Sequence, residues 1–355
     1  MKAMDPRELQ SRVGDGQPVA EVGLGGEDLS GLDLSGANFR EVDFSGAHFA
    51  GTDLRESIFI ECRLERTRLA GARLDAASFY RCVWDDARMQ DAELDRVNFV
   101  ECRFLRWQAS HCRFSVSNFP KSRFEEACFA DCGFDRSVFL ESEAASLRFE
   151  RCELHTAIFH GMDMRAVAFD RCLFDNAVLL EANLAGKDLS GMQLERTQFT
   201  GSDLTGCRFA GSRLASCNFS GAKLAGADFG QAQARRAAFL KADLAGANFA
   251  GADLEQAIFV DACAGGAKFS EARMNQCVFH RAQCPEADFS GARLDEADFS
   301  WAALKSADFT GASLFRTRFH AADDENARFG DRTAALGDDA ELRAAENWAP
   351  PPGID

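Results

Sequence analysis

Residues 287–291 read Ala-Asp-Phe-Ser-Gly and residues 247–251 read Ala-Asn-Phe-Ala-Gly, and the same five-residue unit recurs in register through most of the chain. Counting every fifth residue from Leu24 to Phe329 gives 62 positions, of which 31 are Phe, 21 Leu, 3 Met and 1 Trp. Only one of the 32 phenylalanines, Phe315, lies off this register. Two residues before each large side chain stands a small one, mostly Ala, Ser, Thr or Cys, with a polar residue between them. A period of five fits neither the 3.6 of a helix nor the 2 of a long strand. It requires a short extended segment followed by a corner, repeated.

The unit, carried over residues 24–329 without insertion, resembles that of pentapeptide-repeat proteins. The resemblance implies an all-β fold, a right-handed quadrilateral parallel β-helix. In it four pentapeptides make a coil, and the small and large residues both point inward. We expect about 15 coils in residues 24–330, a capping helix and lead-in over residues 1–23, and a short helix with a Pro-rich tail over residues 331–355. A solenoid grows in one dimension, so the length of 355 residues does not call for several globular domains.

Both ends carry helix signals. At the start, Asp5 is placed as N-cap, Pro6 at the first helical position, Glu8 for a capping box and Gly14 as a stop, over Met4 to Val13. At the end, Asp338 or Asp339 begins a helix through Asn347, closed by Pro350, Pro351 and Pro352. Leu342 and Trp348 give that helix an apolar side, which serves either as a cap over the final coil or as a dimerisation element.

Sorting the large positions by their remainder on division by 20 separates four faces. One is nearly all Phe, from Phe39 to Phe159, then Leu179, then Phe199 to Phe319. Neighbours of an inward strand residue point out. On this face those neighbours are Ile58, Ile60, Tyr80, Val100, Val138, Leu140, Ile158, Val178, Leu180, Leu240, Ile258, Val260 and Val278. On the other faces the equivalent sites are mainly Asp, Arg, Ser, Asn or Ala. Strand propensity alone would not confine apolar residues to one face, and an apolar stripe several coils long marks a protein-binding surface.

Residues 60–125 depart from the consensus. Trp84 and Met89 occupy large positions, Ala109 replaces a large residue, and Arg63, Arg103 and Arg123 recur on one face within a stretch of 12 basic and 10 acidic residues. Ala144, Ala234 and Ala264 mark further underfilled coils. Ten of the thirteen cysteines sit at the small inward position, in columns such as Cys62, Cys82, Cys102 and Cys112, Cys132, Cys152, Cys172. We expect buried packing thiols rather than disulfides or metal ligands, since no C-x-x-C or Cys/His ligand spacing occurs.

The net charge of −16, spread through both halves, opposes direct nucleic-acid binding, which needs a basic face. The chain has no apolar run long enough to span a membrane and no signal-peptide core at its start, so a cytoplasmic location is expected, with non-classical export left open. The six histidines lack metal-site spacing, and Gly23, Gly25 and Gly26 lack the Lys-Ser/Thr of a phosphate loop. Neither a catalytic residue nor a cofactor is expected.

The segment Asp5 to Val13 followed by Gly25–Gly36 is similar to the opening of pentapeptide-repeat proteins associated with bacterial type VI secretion. That resemblance implies a noncatalytic scaffold or adaptor with protein partners. The acidic charge instead suits another branch of the family, dimeric DNA mimics that bind DNA gyrase. Against mimicry stand the 33 arginines mixed among the carboxylates. A structural rod without a dedicated partner is the third reading.

Overall fold

The corner chemistry of the five-residue unit decides the architecture. Residues whose numbers end in 1 or 6 adopt positive φ, Gly51 at 64° and Gly251 at 64°, but also Glu61 at 56° and Arg281 at 57°. Just upstream, an Asp or Asn before the large residue accepts a hydrogen bond from the N–H two residues on. Asp43 Oδ1 takes that of Ser45 at 2.9 Å, and Asn248 Oδ1 that of Ala250 at 3.1 Å. This local turn explains why the unit reads Asp/Asn, large, Ser/Ala. Such turns close with a bond from the next small residue back to the large one, as in Ala232 N to Phe229 O at 3.0 Å.

A computed structural model describes residues 2–348 and divides into two units, Met1–Asn183 and Leu184–Asp355. Each is a parallel β-solenoid in which residue i pairs with residue i+20. Phe59 aligns with Phe79 and Phe79 with Phe99 in the first unit, and Asp228 bridges Asn248 in the second. In the first unit many coils keep three-residue strands, such as Ile58–Ile60, Ser78–Tyr80 and Asn98–Val100. β-branched and aromatic outward neighbours favour this extended form. In the second unit Ser, Ala or Thr follows about half of the large residues and a corner comes at once, leaving chiefly single-residue bridges.

Inside, the large residues form a dry core. Phe59, Phe79, Phe99, Phe119 and Phe139 stack with centroids 4.5–5.1 Å apart. In the second unit Phe209, Phe229, Phe249, Phe269 and Phe289 stack in the same way, in a column opposite that of Phe219 and Phe239. Its rings meet those of the Phe219 column nearly at right angles, 88° for Phe219 and Phe229 and 89° for Phe229 and Phe239. Within a column rings stack, and between columns edges meet faces. Each buried ring contributes about 1.5–3 kcal/mol by burial and each ring pair about 0.5–1.5 kcal/mol more.

The underfilled coil at Ala109 is filled by a side chain from the small position. Trp107, two residues earlier, is fully buried against Phe104 at 4.6 Å, Phe129 at 5.2 Å and Trp84 at 6.2 Å. Large and small have exchanged places. Leu147, likewise fully buried at a small position, follows Ala144. Hydroxyls at small positions bond to carbonyls 23 residues back, as Ser122 Oγ does to Phe99 O at 2.7 Å and Thr317 Oγ1 to Leu294 O at 2.8 Å. This lets a polar atom sit in the core without loss.

The thirteen thiols are free. Burial pushes the Cys207 thiol up to about 11 and Cys217 to about 12. Cys128, half-buried, and Cys263, exposed, lie off the small register and face outward.

At the start of the first unit, helix α1 spans Pro6–Gly14 with Asp5 as N-cap, and Leu9 is fully buried. Glu8 does not turn back to the cap; it pairs with Arg12 at 2.9 Å, one turn on. Gly14 lies inside the helix, and Gly16, at φ 67°, takes the left-handed position that ends it. Lys2–Ala3 pairs in parallel with Val22–Gly23.

At the far end of the second unit, main-chain pairing runs past Phe329, with Leu336 N bonded to Thr317 O at 2.8 Å. Helix α2 spans Ala340–Glu346, and Asp339 caps it by accepting from the Glu341 and Leu342 N–H groups. It buries none of its residues: Leu342 is 43% and Trp348 69% exposed, so the apolar side expected to hold it is not engaged. Polar contacts through His320, which is 1% exposed, hold it instead. His320 Nδ1 accepts from Asp339 N at 3.1 Å, and Nε2 lies 3.1 Å from Glu346 Oε2. Pro350, Pro351 and Pro352 lie outside the described residues. Among the described residues no helix is long and apolar enough to cross a membrane.

Two measurements test this packing. Trp107→Ala opens a cavity beside Ala109, and urea unfolding should show a loss of about 3–5 kcal/mol; a loss below about 1 kcal/mol would mean that the coil is not supported from the small position. A thiol-specific chromogenic reagent on the native protein should label Cys263 promptly and Cys128 more slowly, with the other eleven reacting only in denaturant.

Candidate protein-binding face

The outward side chains flanking the Phe59 column are carried by a parallel ladder in the first unit. Ile58 pairs with Ser78 and Ile60 with Tyr80, while Val138, Ile158 and Val178 align in turn. Single bridges through Asn118 join the two stretches. Sites twenty residues apart therefore stand one strand spacing apart, about 4.8 Å. Ile58 and Tyr80 are each 40% exposed. Ile60, Val100, Val138, Leu140, Ile158, Val178 and Leu180 are half-buried between neighbouring coils. Ile60, Tyr80 and Val100, with Arg81 and Glu101, line a depression of about 260 Å³.

The face is not uniformly apolar. Ser78, Asn98 and Asn118 interrupt it, and Asn118 Nδ2 donates to Asn98 Oδ1 at 2.8 Å, which links the two amides along the ladder. In the second unit the same register gives a smaller patch. Leu240 and Ile258 are exposed and Val260 and Val278 are half-buried, with Ile258 bridging Val278. Exposed apolar side chains also occur off this register, at Val116, Leu173, Trp301, Phe315 and Leu336. Val116 and Trp301 stand at corners, Leu173 and Phe315 flank large positions of another face, and Leu336 lies beyond the repeat register.

One flank of the face was missed in the sequence. Its corner residues, all at positive φ, are Glu61, Arg81, Glu101, Lys121 and Glu141, which alternate in sign at a step of twenty. Within the chain Arg81 reaches Glu61 at 2.6 Å and Lys121 approaches Glu141 at 3.9 Å.

The basic column Arg63, Arg103, Arg123 does not form a bare positive patch. Arg63 pairs with Glu65 at 3.0 Å, Arg103 with Asp85 at 2.6 Å and Arg123 with Glu143 at 3.2 Å. The pattern is general: Arg106 meets Asp86, Arg151 meets Asp131 and Arg281 meets Asp261, each twenty residues away. The arginines hold the carboxyls of Asp86, Asp131 and Asp261 below the usual carboxylate range. Such exposed pairs contribute little stability singly, yet they neutralise the acidic surface locally.

Chemical groupings are sparse. His155 Nδ1 lies 2.9 Å from Asp175 and its Nε2 3.9 Å from Asp135, on an exposed column. A concavity of about 720 Å³ opens beside Ala144, where the large residue is absent, lined by Glu141, Glu143, Asp163 and Arg165 among others. Among the described residues no group of three or more His, Cys, Asp or Glu is placed to hold a metal ion.

Comparison with known proteins agrees with the coil geometry. The model of the pentapeptide repeat region matches residues 29–99, 102–179 and 148–219, and that of pentapeptide repeats in eight copies matches segments from 202 to 329. Among solved structures, the chain is similar to HetL, a pentapeptide repeat protein involved in heterocyst differentiation regulation from the cyanobacterium Nostoc sp. strain PCC 7120. That likeness has 19% identity, covers 69% of this chain and 91% of HetL, and has a TM-score of 0.28. It is also similar to QnrB1, a plasmid-mediated fluoroquinolone resistance protein, at 15% identity over 79% of this chain and 98% of that one, TM-score 0.25. A pentapeptide repeat protein from the Arabidopsis thaliana thylakoid lumen is 24% identical over 40% of this chain and 82% of its own, TM-score 0.19. None of the curated proteins matches the chain in sequence. With family models matching well over half of its length, the chain belongs to the pentapeptide repeat family.

Proposed function

We propose that the chain is a noncatalytic protein-binding scaffold whose docking surface is the apolar outer face running from Ile58 to Leu180. One observation carries this reading: most of the β-branched and aromatic outward residues of the first unit fall on one ladder, in register, and remain partly open to solvent. A monomer's outer surface has no need of such a face, and clustered apolar surface is the usual mark of association. The smaller patch at Leu240, Ile258, Val260 and Val278 is a second, separate contact point on the same register.

An accessory role in assembling bacterial type VI secretion components is the specific form of this reading, supported by the resemblance of Asp5 to Val13 and Gly25–Gly36. The alternative, a DNA mimic acting on gyrase, is served by the net charge of −16. The interleaved arginines weaken it, since a mimic presents unneutralised carboxylates in rows. A rod without a dedicated partner remains the outcome if nothing docks.

The test combines Ile158→Asp, Val178→Asp and Leu180→Asp in one variant, with circular dichroism to verify the fold. Light scattering should show any self-association of the wild type lost, and affinity capture from the native host should lose its specific proteins. Equal assembly and equal capture by both forms would overturn the scaffold reading at this face. In a supercoiling assay, gyrase should be unaffected; inhibition at low protein concentration would favour mimicry.

A further inference from the structure

The flank of the apolar face has a property that selects a partner. Glu61, Arg81, Glu101, Lys121 and Glu141 follow one another at successive coils, and Gly161 continues the row. All six sit at left-handed corners, with φ between 49° and 66°, so their side chains are set by the same backbone geometry at every step. Two copies of a face can meet about a twofold axis lying in the contact plane, and residue i then opposes residue j while j opposes i. If that axis crosses the coil direction, the copies run antiparallel and this flank meets itself.

In that arrangement the alternation requires the axis to pass between two coils, and the apolar residues select which two. With the axis between the coils of Glu101 and Lys121, Lys121 faces Glu101 of the second copy, Arg81 faces its Glu141, and Glu61 faces its Gly161. Within these six coils every charged contact joins opposite signs, whereas Glu41 and Glu181, one coil beyond on either side, face each other. Sliding by half a step, so that the axis passes through Lys121, sets that lysine on its own copy and Glu101 on Glu141. The apolar face agrees with the first register: Tyr80 opposes Leu140, Val100 opposes Pro120 and Ile58 opposes Ile158, while Asn98 opposes Asn118 at the centre. A parallel arrangement would set this flank against the other one, Glu56, Ala76, Arg96, Val116, Arg136 and Thr156, which has no alternation.

Resting on the reading of this face as a docking surface, we infer that its partner is a second copy of the chain, docked antiparallel about an axis between the coils of Glu101 and Lys121. The charges already pair within each chain, Arg81 with Glu61 and Lys121 with Glu141. Association therefore extends existing ion pairs into five-residue networks rather than burying lone charges, which would be costly. Six coils span about 30 Å, the extent of a small, exchanging interface. Charge complementarity of this kind sets register and specificity more than raw affinity.

The experiment uses two full-length double variants, Arg81→Glu with Lys121→Glu, and Glu101→Lys with Glu141→Lys. Sedimentation velocity should show the wild type dimerising, and each variant alone with a dissociation constant raised about tenfold or more. Mixing the two restores every opposite-sign contact across the axis, so the mixture should associate at about wild-type strength. Circular dichroism and thermal melts establish that each variant keeps its fold. A monomeric wild type, or two weakened variants that do not rescue each other when mixed, would overturn the self-pairing. If a monomeric wild type still captured host proteins through Ile158, Val178 and Leu180, the self-pairing alone would fail and the docking surface would stand.

Discussion

The solenoid depends on a main-chain ladder whose partner, up to Phe329, is twenty residues away. Because strand spacing is fixed by the peptide hydrogen bond, any side chain repeated at that interval is delivered to the stacking distance of an aromatic ring. Phe219 and Phe239, at 5.0 Å and 3° between planes, show how little adjustment the rings then need. Backbone and core thus enforce one another. A coil that slipped by a single residue would break both at once.

The interval also organises the surface. Arginine and carboxylate recur at matching corners, so the same period that stacks rings inside pairs charges outside, as at Arg151 and Asp131. The chain carries a large net negative charge, yet much of it is read by neighbours before solvent or a partner can read it. The apolar face is the exception to this polar exterior.

The period and most inward positions were legible in the sequence because they repeat, and the apolar column at Ile58, Ile158 and Val178 because its members share one register despite the interruptions at Ser78, Asn98 and Asn118. What escaped were single exceptions whose remedy lies in three dimensions. Ala109 reads as a void until Trp107 is seen to reach into it from a position reserved for small residues. Glu8 reads as a capping-box residue, but Arg12 one turn on competes for it. Leu342 and Trp348 read as the side of a cap or of a dimerisation element; within the chain the buried His320 instead fixes the helix through its two ring nitrogens, a contact spanning 26 residues that no local pattern announces. The alternating flank was present in the sequence but visible only once corners were known to point outward together.

Asp324 is the single charged residue among the 62 inward register positions. It pairs with Arg332, whose guanidinium lies 4.7 Å from the centroid of Phe319 and 4.4 Å from that of Phe329. One cation therefore closes the two aromatic columns that end there, with a carboxylate to fix its position. The result is a stack that cannot be lengthened from its tip, since a further ring would have to displace a charge already satisfied on both sides. New coils can enter such a molecule only by duplication within the array, in whole steps of twenty, with both ends carried along unchanged.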